Sequence, residues 1–161
     1  MSTVRESEGY NRLRAAALDA IVGQLRASVG VDRCTLRLEV PDEFFPVVHE
    51  SLAGRAGTLI GDRGVSLQGQ PVVEAILSGV EQVVQTDCPS ASEDPAFRRM
   101  LEHYGGLGAQ IVTPVRASDG SLLGIISLHH LGGARDWSQA ELGIARDGAD
   151  LVGLLLRGAP A

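Results

Sequence analysis

The Asp119-Gly120 dipeptide, set between the apolar runs Ala109 to Ala117 and Leu122 to Leu131, constrains this chain more than any other local feature. Asp-Gly between two such runs reverses a chain tightly, because glycine accepts the positive φ that a hairpin turn demands. The spacing predicts two long antiparallel strands. Alternation then puts Ile125, Ser127 and His129 on one face of the second strand and Ile126, Leu128 and His130 on the other. The cross-strand partners depend on the turn. A two-residue loop sets Val112 and Gln110 beside Ser127 and His129, whereas a three-residue loop with Gly120 in a bulge brings Ile111 and Thr113 there instead.

Helical periodicity brackets this hairpin. Leu13, Ala17, Ile21, Leu25 and Val29 recur every four residues and predict a first helix over Asn11 to Val29. At the other end Ser138-Gln-Ala-Glu141 is a capping box that opens a last helix to about Leu156. That helix is apolar on every side from Leu151 to Leu156, more than one sheet requires, so a second helix is expected to cover it. After Gly30, residues Cys34, Leu36, Leu38 and Val40 alternate with Thr35, Arg37 and Glu39, the period of a half-buried strand that ends at Pro41. Phe44 to Ser51 is its expected partner, an edge strand because of Pro46. Glycines 54, 57, 61, 64 and 69 make Leu52 to Gln70 an ordered loop with a short strand. A short helix over Pro71 to Ser78, a strand over Val80 to Gln85 and a polar connection from Thr86 to Asp94 follow. Asp94 caps a helix to Tyr104 whose one face carries Phe97, Met100, Leu101 and Tyr104.

Composition removes several kinds of function. All 14 basic residues are arginine, which excludes lysine Schiff-base enzymes and the P-loop, whose lysine reaches the phosphates. A net charge of -6 with scattered arginines argues against nucleic acid as a partner. The 161 residues suit a single core. Two cysteines make no disulfide framework, Met1 to Tyr10 does not resemble a signal peptide, and no apolar run approaches the roughly 20 residues of a membrane span. The expectation is a cytoplasmic protein with no membrane partner. Cys34 is expected to be inert packing, and Cys88 the more exposed thiol, its pKa raised by Asp87. The four histidines lack metal-ligand spacing, and His129 and His130 point to opposite faces, so no metal site is expected.

Several phrases resemble the GAF domain family across roughly Arg12 to Leu156: Gln70-Pro-Val, Val84-Gln-Thr-Asp87, Asp94-Pro-Ala-Phe97, Ile111-Val-Thr-Pro-Val115, Asp119-Gly120, Leu123-Gly-Ile-Ile-Ser127 and Arg135-Asp-Trp137-Ser-Gln-Ala-Glu141. The resemblance implies an α+β fold, a central antiparallel sheet with the terminal helices on one face and a ligand pocket on the other. It divides the chain into a polar N-terminal extension (1–11), the GAF domain (12–156) and a C-terminal tail (157–161). It also implies a non-catalytic sensory module that binds a small molecule and signals through its terminal helices as a homodimer, with its output passed to a partner protein.

The same resemblance bears on the ligand. The Asn-Lys motif of cyclic-nucleotide-binding members cannot occur without lysine, and Gly64-Val-Ser66 lacks the cysteine of the methionine sulfoxide reductases. Gly124-Ile-Ile-Ser-Leu-His129-His130 is similar to the phytochrome strand whose first histidine contacts the chromophore, but Arg98 to Tyr104 lacks the attachment cysteine of cyanobacterial relatives. Cyclic nucleotide and bilin are therefore disfavoured as cofactors. Haem stays open, with His129 as its one axial ligand, and a haem-binding or redox enzyme using the same pocket is the alternative. The expected binding residues are Thr113, Ser127, His129, Ile111, Tyr104, Phe97 and Asp87, the phytochrome likeness favouring Thr113; for Asp87, capping of the following turn is preferred.

Overall fold

The computed structural model describes residues 2–157. Helix α1 (Ser2–Val29) ends where Gly30 takes a φ of 72° and the amides of Gly30 and Val31 both donate to Arg26 O. The expected extension over residues 1–11 is thus, from Ser2 onward, the start of α1; Met1 and residues 158–161 of the expected tail lie outside the described residues. Then follow β1 (Arg33–Leu38), β2 (Val47–Leu52), α2 (Pro71–Leu77), β3 (Val83–Gln85), α3 (Cys88–Ala91), α4 (Pro95–His103), β4 (Leu107–Arg116), β5 (Leu122–Leu131) and α5 (Gln139–Arg157). The strands form one antiparallel sheet in the order β2-β1-β5-β4-β3. No described helix is long and apolar enough to cross a membrane.

Each face of the sheet buries its own core. Leu18, Val22 and Leu25 of α1 and Ala145, Ala149 and Val152 of α5 pack on Cys34, Leu36, Ile111, Val115, Ile126 and Leu128. On the other face Val72 and Ile76 of α2 and Phe97, Met100 and Leu101 of α4 pack with Leu107, Val112 and Ile125. The capping box closes as expected, Glu141 N donating to Ser138 Oγ at 3.1 Å and Ser138 N to Glu141 Oε1 at 2.9 Å. The end of α5 leaves Leu151 and Leu154 exposed, and Leu13 of α1 is exposed as well.

Two local expectations change. The glycine-rich segment carries no strand over residues 53–70. Side chains order it instead: Glu50 accepts from Leu59 N at 2.8 Å and from the Thr58 hydroxyl, and Asp62 accepts from Gly64 N at 2.7 Å. The polar connection after β3 contains α3, which buries Cys88 completely. Cys88 is therefore not the exposed thiol that sequence predicts. Burial, with the Asp87 charge second, pushes its pKa up to about 12, and burial does the same to Cys34.

The hairpin holds the largest difference. Gly120 N donates to Ala117 O and Ala117 N to Ser121 O, with Gly120 at a φ of 87°, so the loop has three residues and a glycine bulge. That turn alone would bring Ile111 and Thr113 beside Ser127. A second bulge intervenes, because Arg116 pairs Leu122 while Val115 pairs Gly124, leaving Leu123 as an extra residue in β5. The two offsets cancel. Val112 pairs Ser127 and Gln110 pairs His129.

Candidate ligand-binding site

Sequence patterning assigns Thr35, Arg37 and Glu39 to the open side of a half-buried strand. β1 lies between β2 and β5, however, and the side bearing Arg33, Thr35 and Arg37 is covered by α4 and the glycine-rich loop. Arg33 is only 1% exposed. Its Nε donates to His129 Nδ1 at 3.0 Å, Nη1 to Gly57 O at 3.1 Å and Nη2 to Tyr104 O at 2.8 Å. Arginine always donates, so His129 Nδ1 must be the bare nitrogen and Nε2 carries the proton. Tyr104 stacks on the His129 ring with centroids 5.7 Å apart, and the Tyr104 hydroxyl accepts from Arg37 Nη2 at 2.9 Å. Arg37 Nη1 donates to Phe45 O at 2.9 Å.

Neither guanidinium meets a carboxylate among the described residues. Burial lowers both arginine pKa values, yet arginine's ordinary value lies so far above neutrality that both stay cationic. Burial likewise raises the Tyr104 hydroxyl, leaving it a neutral donor as well as an acceptor. Burial, followed by the charges of Arg33 and Arg37, holds His129 well below its ordinary 6.5.

Arg37, Tyr104 and His129 border a cavity of about 40 Å3 between the sheet and α2 and α4, lined also by Gln70, Met100, Gln110, Val112, Ile125 and Ser127 among others. Gln70 Oε1 is buried without a partner among the described residues, and so is the Thr35 hydroxyl on β1. Gln70 also borders a solvent-open cleft of about 680 Å3 between the glycine-rich loop and α4. Over that cleft His103 Nε2 meets the Asp62 carboxylate at 2.7 Å, tying loop to helix. Hydrogen bonding from Gly64 N and His103 outweighs partial burial and keeps the Asp62 pKa low.

Of the seven residues singled out from sequence, the fold brings Ser127, His129 and Tyr104 together around the cavity. Thr113 is a correction: the second bulge turns it to the α5 side, where its hydroxyl accepts from Gln82 Nε2 at 3.0 Å. Ile111 is a correction for the same reason, fully buried in the core beneath α1 and α5. Phe97 is buried in the core under α4 without lining the cavity. Asp87 is exposed, heads α3 and accepts from Ser90 Oγ at 2.9 Å. Arg33, Arg37 and Gln70 escape sequence patterning. Their signal is the arginine pair in phase with Thr35 on a strand that ends up inside the sheet. Among the described residues no group of three histidine, cysteine or carboxylate side chains is placed to hold a metal.

The buried neutral imidazole makes stability depend on pH. Below 6.5 the unfolded chain binds a proton at His129 that the folded chain refuses, so unfolding free energy falls as pH drops. The limiting slope is about 1.4 kcal/mol per pH unit. Urea unfolding between pH 7.5 and 5 should show this loss, and His129→Gln should flatten the profile by one proton. An unchanged profile in that variant would show that His129 titrates normally.

The GAF domain profile matches residues 14–156. A comparison with curated proteins finds no match. Similar solved structures include the cyanobacteriochrome TePixJ GAF domain, at 23% identity over 89% of each chain and a TM-score of 0.76. GAF3 from Slr1393 of Synechocystis sp. PCC6803, in its photoproduct state, is 19% identical over 89% of this chain and 92% of that one, with a TM-score of 0.73. The phycocyanobilin-bound GAF domain from a cyanobacterial phytochrome is 20% identical over 98% of this chain and 93% of that one, with a TM-score of 0.75. These neighbours correct the expectation that disfavours bilin, since a bilin-bound domain shares this fold over nearly the whole chain. The missing cysteine bears only on covalent attachment, which noncovalent binding does not require.

Proposed function

Because this chain belongs to the GAF domain family, we propose that it is a non-catalytic sensory module. It binds a small molecule over the Ser127 and His129 face and passes occupancy to α1 and α5. The observation that carries this reading is a cavity rimmed by Arg37, Tyr104, Ser127 and His129, beside Gln70, whose Oε1 is buried without a partner among the described residues. Buried polar groups without partners cost free energy, and a ligand that satisfies them recovers it. The Asp62–His103 contact marks the glycine-rich loop as the wall that must move to admit a ligand larger than the cavity.

The signal leaves through the opposite layer. Gln82, just before β3, donates to Leu142 O of α5 and accepts from Arg146 of α5 at 3.0 Å, so the α2–β3 connection is tied to the last helix. Exposed Leu13, Leu151 and Leu154 on α1 and α5 fit a homodimer built through the terminal helices, with a partner protein receiving the output.

A thermal-shift screen of the purified chain tests the ligand reading, with phycocyanobilin, biliverdin, mononucleotides and small organic anions as probes. A ligand at 100 times its dissociation constant adds about 2.7 kcal/mol to stability. The reading fails if no probe shifts the wild type, or if Ser127→Val and His129→Gln respond as the wild type does. Light scattering at micromolar concentration tests the dimer. The wild type should run as a dimer and Leu154→Glu as a monomer, and a monomeric wild type removes this part of the reading.

A further inference from the structure

We propose that the group recognised in this cavity is a small carboxylate, held by the Arg37 guanidinium, the His129 Nε2–H and the Tyr104 hydroxyl, with a donor on the same ligand facing Gln70 Oε1. This rests on the cavity being the sensory site and adds the chemical class of what enters it.

Three observations converge. Arg33 spends its Nε and both Nη groups on neutral acceptors, so its charge is buried with no counterion in contact. Arg37, half-buried at the cavity, uses two of its five N–H groups, on Phe45 O and Tyr104 Oη, which leaves three without a protein acceptor among the described residues. The nearest acids are engaged elsewhere: Asp62 with His103 and Gly64 N, Glu50 with Thr58 and Leu59 N, and Asp32 with Leu131 N. An anion entering the cavity therefore meets Arg37, whose guanidinium has no carboxylate in contact among the described residues.

Hydrogen bonding sharpens the class. Since Arg33 fixes the proton on His129 Nε2, that nitrogen is a donor without a protein partner among the described residues. Tyr104 Oη accepts from Arg37, which leaves its own proton free to donate. The polar end next to Arg37 is thus a set of donors matched to a carboxylate's two acceptor oxygens. Gln70 Oε1, buried and unpartnered, supplies the complementary acceptor. A cavity of about 40 Å3 holds about three waters, or a ligand of roughly five non-hydrogen atoms. Glycolate has this size, a carboxylate and one hydroxyl donor.

Titrating the purified full chain with sodium glycolate and, in parallel, with glycolamide, its neutral isostere, provides the test. Glycolate should bind at least tenfold more tightly than glycolamide. Arg37→Gln should weaken glycolate at least tenfold, while Arg37→Lys, which keeps the charge, should lose less. Glycolate should also shift the His129 Nε2–H resonance. If Arg37→Gln does not fold, the wild-type ratio of glycolate to glycolamide decides. Equal binding of the two probes, or an unaltered glycolate affinity in a folded Arg37→Gln, overturns the carboxylate. If phycocyanobilin or biliverdin binds and glycolate does not, the carboxylate is overturned while the sensory reading stands. If no probe of either kind binds, both fall.

Discussion

Arg33→Leu is expected to cost about 3 kcal/mol or more of unfolding free energy. The guanidinium holds three acceptors that nothing else reaches: His129 Nδ1, Gly57 O and Tyr104 O. Leaving a buried acceptor unpaired costs about 1–3 kcal/mol. Two such losses, at His129 Nδ1 and Tyr104 O, with a smaller one at the exposed Gly57, are offset only in part by relief of the buried charge. Arg33→Lys should rescue little, because one ammonium on a flexible stem cannot span acceptors on β5, the glycine-rich loop and the end of α4. Urea unfolding gives the size of the effect. Imidazole nitrogen shifts give its specificity, since His129 loses the donor that selects its tautomer and should become a mixture. A loss below about 1 kcal/mol, with the His129 tautomer unchanged, would show that Arg33 organises nothing.

Gly108→Ala should be as damaging for a steric reason. Leu107 pairs Leu131 while Ala109 pairs His130, so Gly108 is an extra residue that turns Leu107 toward the α4 core. A Cβ at Gly108 would overlap Gly133 O and lie 2.8 Å from Gly132 O, both backbone atoms with no rotamer to yield. Gly132 N in turn donates to Gly106 O at 2.8 Å, which holds the two segments together. The substitution must open the bulge or displace the β5–α5 connection, at a cost of about 3 kcal/mol or more. Gly133→Ala is the control: its Cβ would meet nothing within 4 Å, and it should stay within about 0.5 kcal/mol of the wild type. Equal stability of the two variants would contradict the packing at this bulge.

Both effects sit where local pattern stops being informative. The helices other than α3, the Asp94 cap, the capping box at Ser138 and Glu141 and the position of the glycine turn each depend on residues within a few positions, so these were legible, while the length of that turn was left open. The residues around the cavity were legible only in part. Ser127 and His129 stood out as polar groups on an apolar strand. Thr113 was drawn to the wrong face because the turn was read as the only source of register. Arg37 looked solvent-facing, and Arg33 was not singled out, because alternation reports two faces without saying which is wet.

Sequence by itself determined the family, the order of the main elements and which residues share a face within each, because 3.6-residue and 2-residue periods and end caps are properties of the local chain. It also placed the one glycine turn that shapes the hairpin. Only the tertiary structure decided which residues share the cavity. One extra residue reverses every side chain beyond it, and the extra residues at Leu123 and Gly108 are set by packing against distant segments. The same holds for β1: its place between β2 and β5 buries Arg33 and half-buries Arg37 at the cavity, neither with a carboxylate in contact among the described residues.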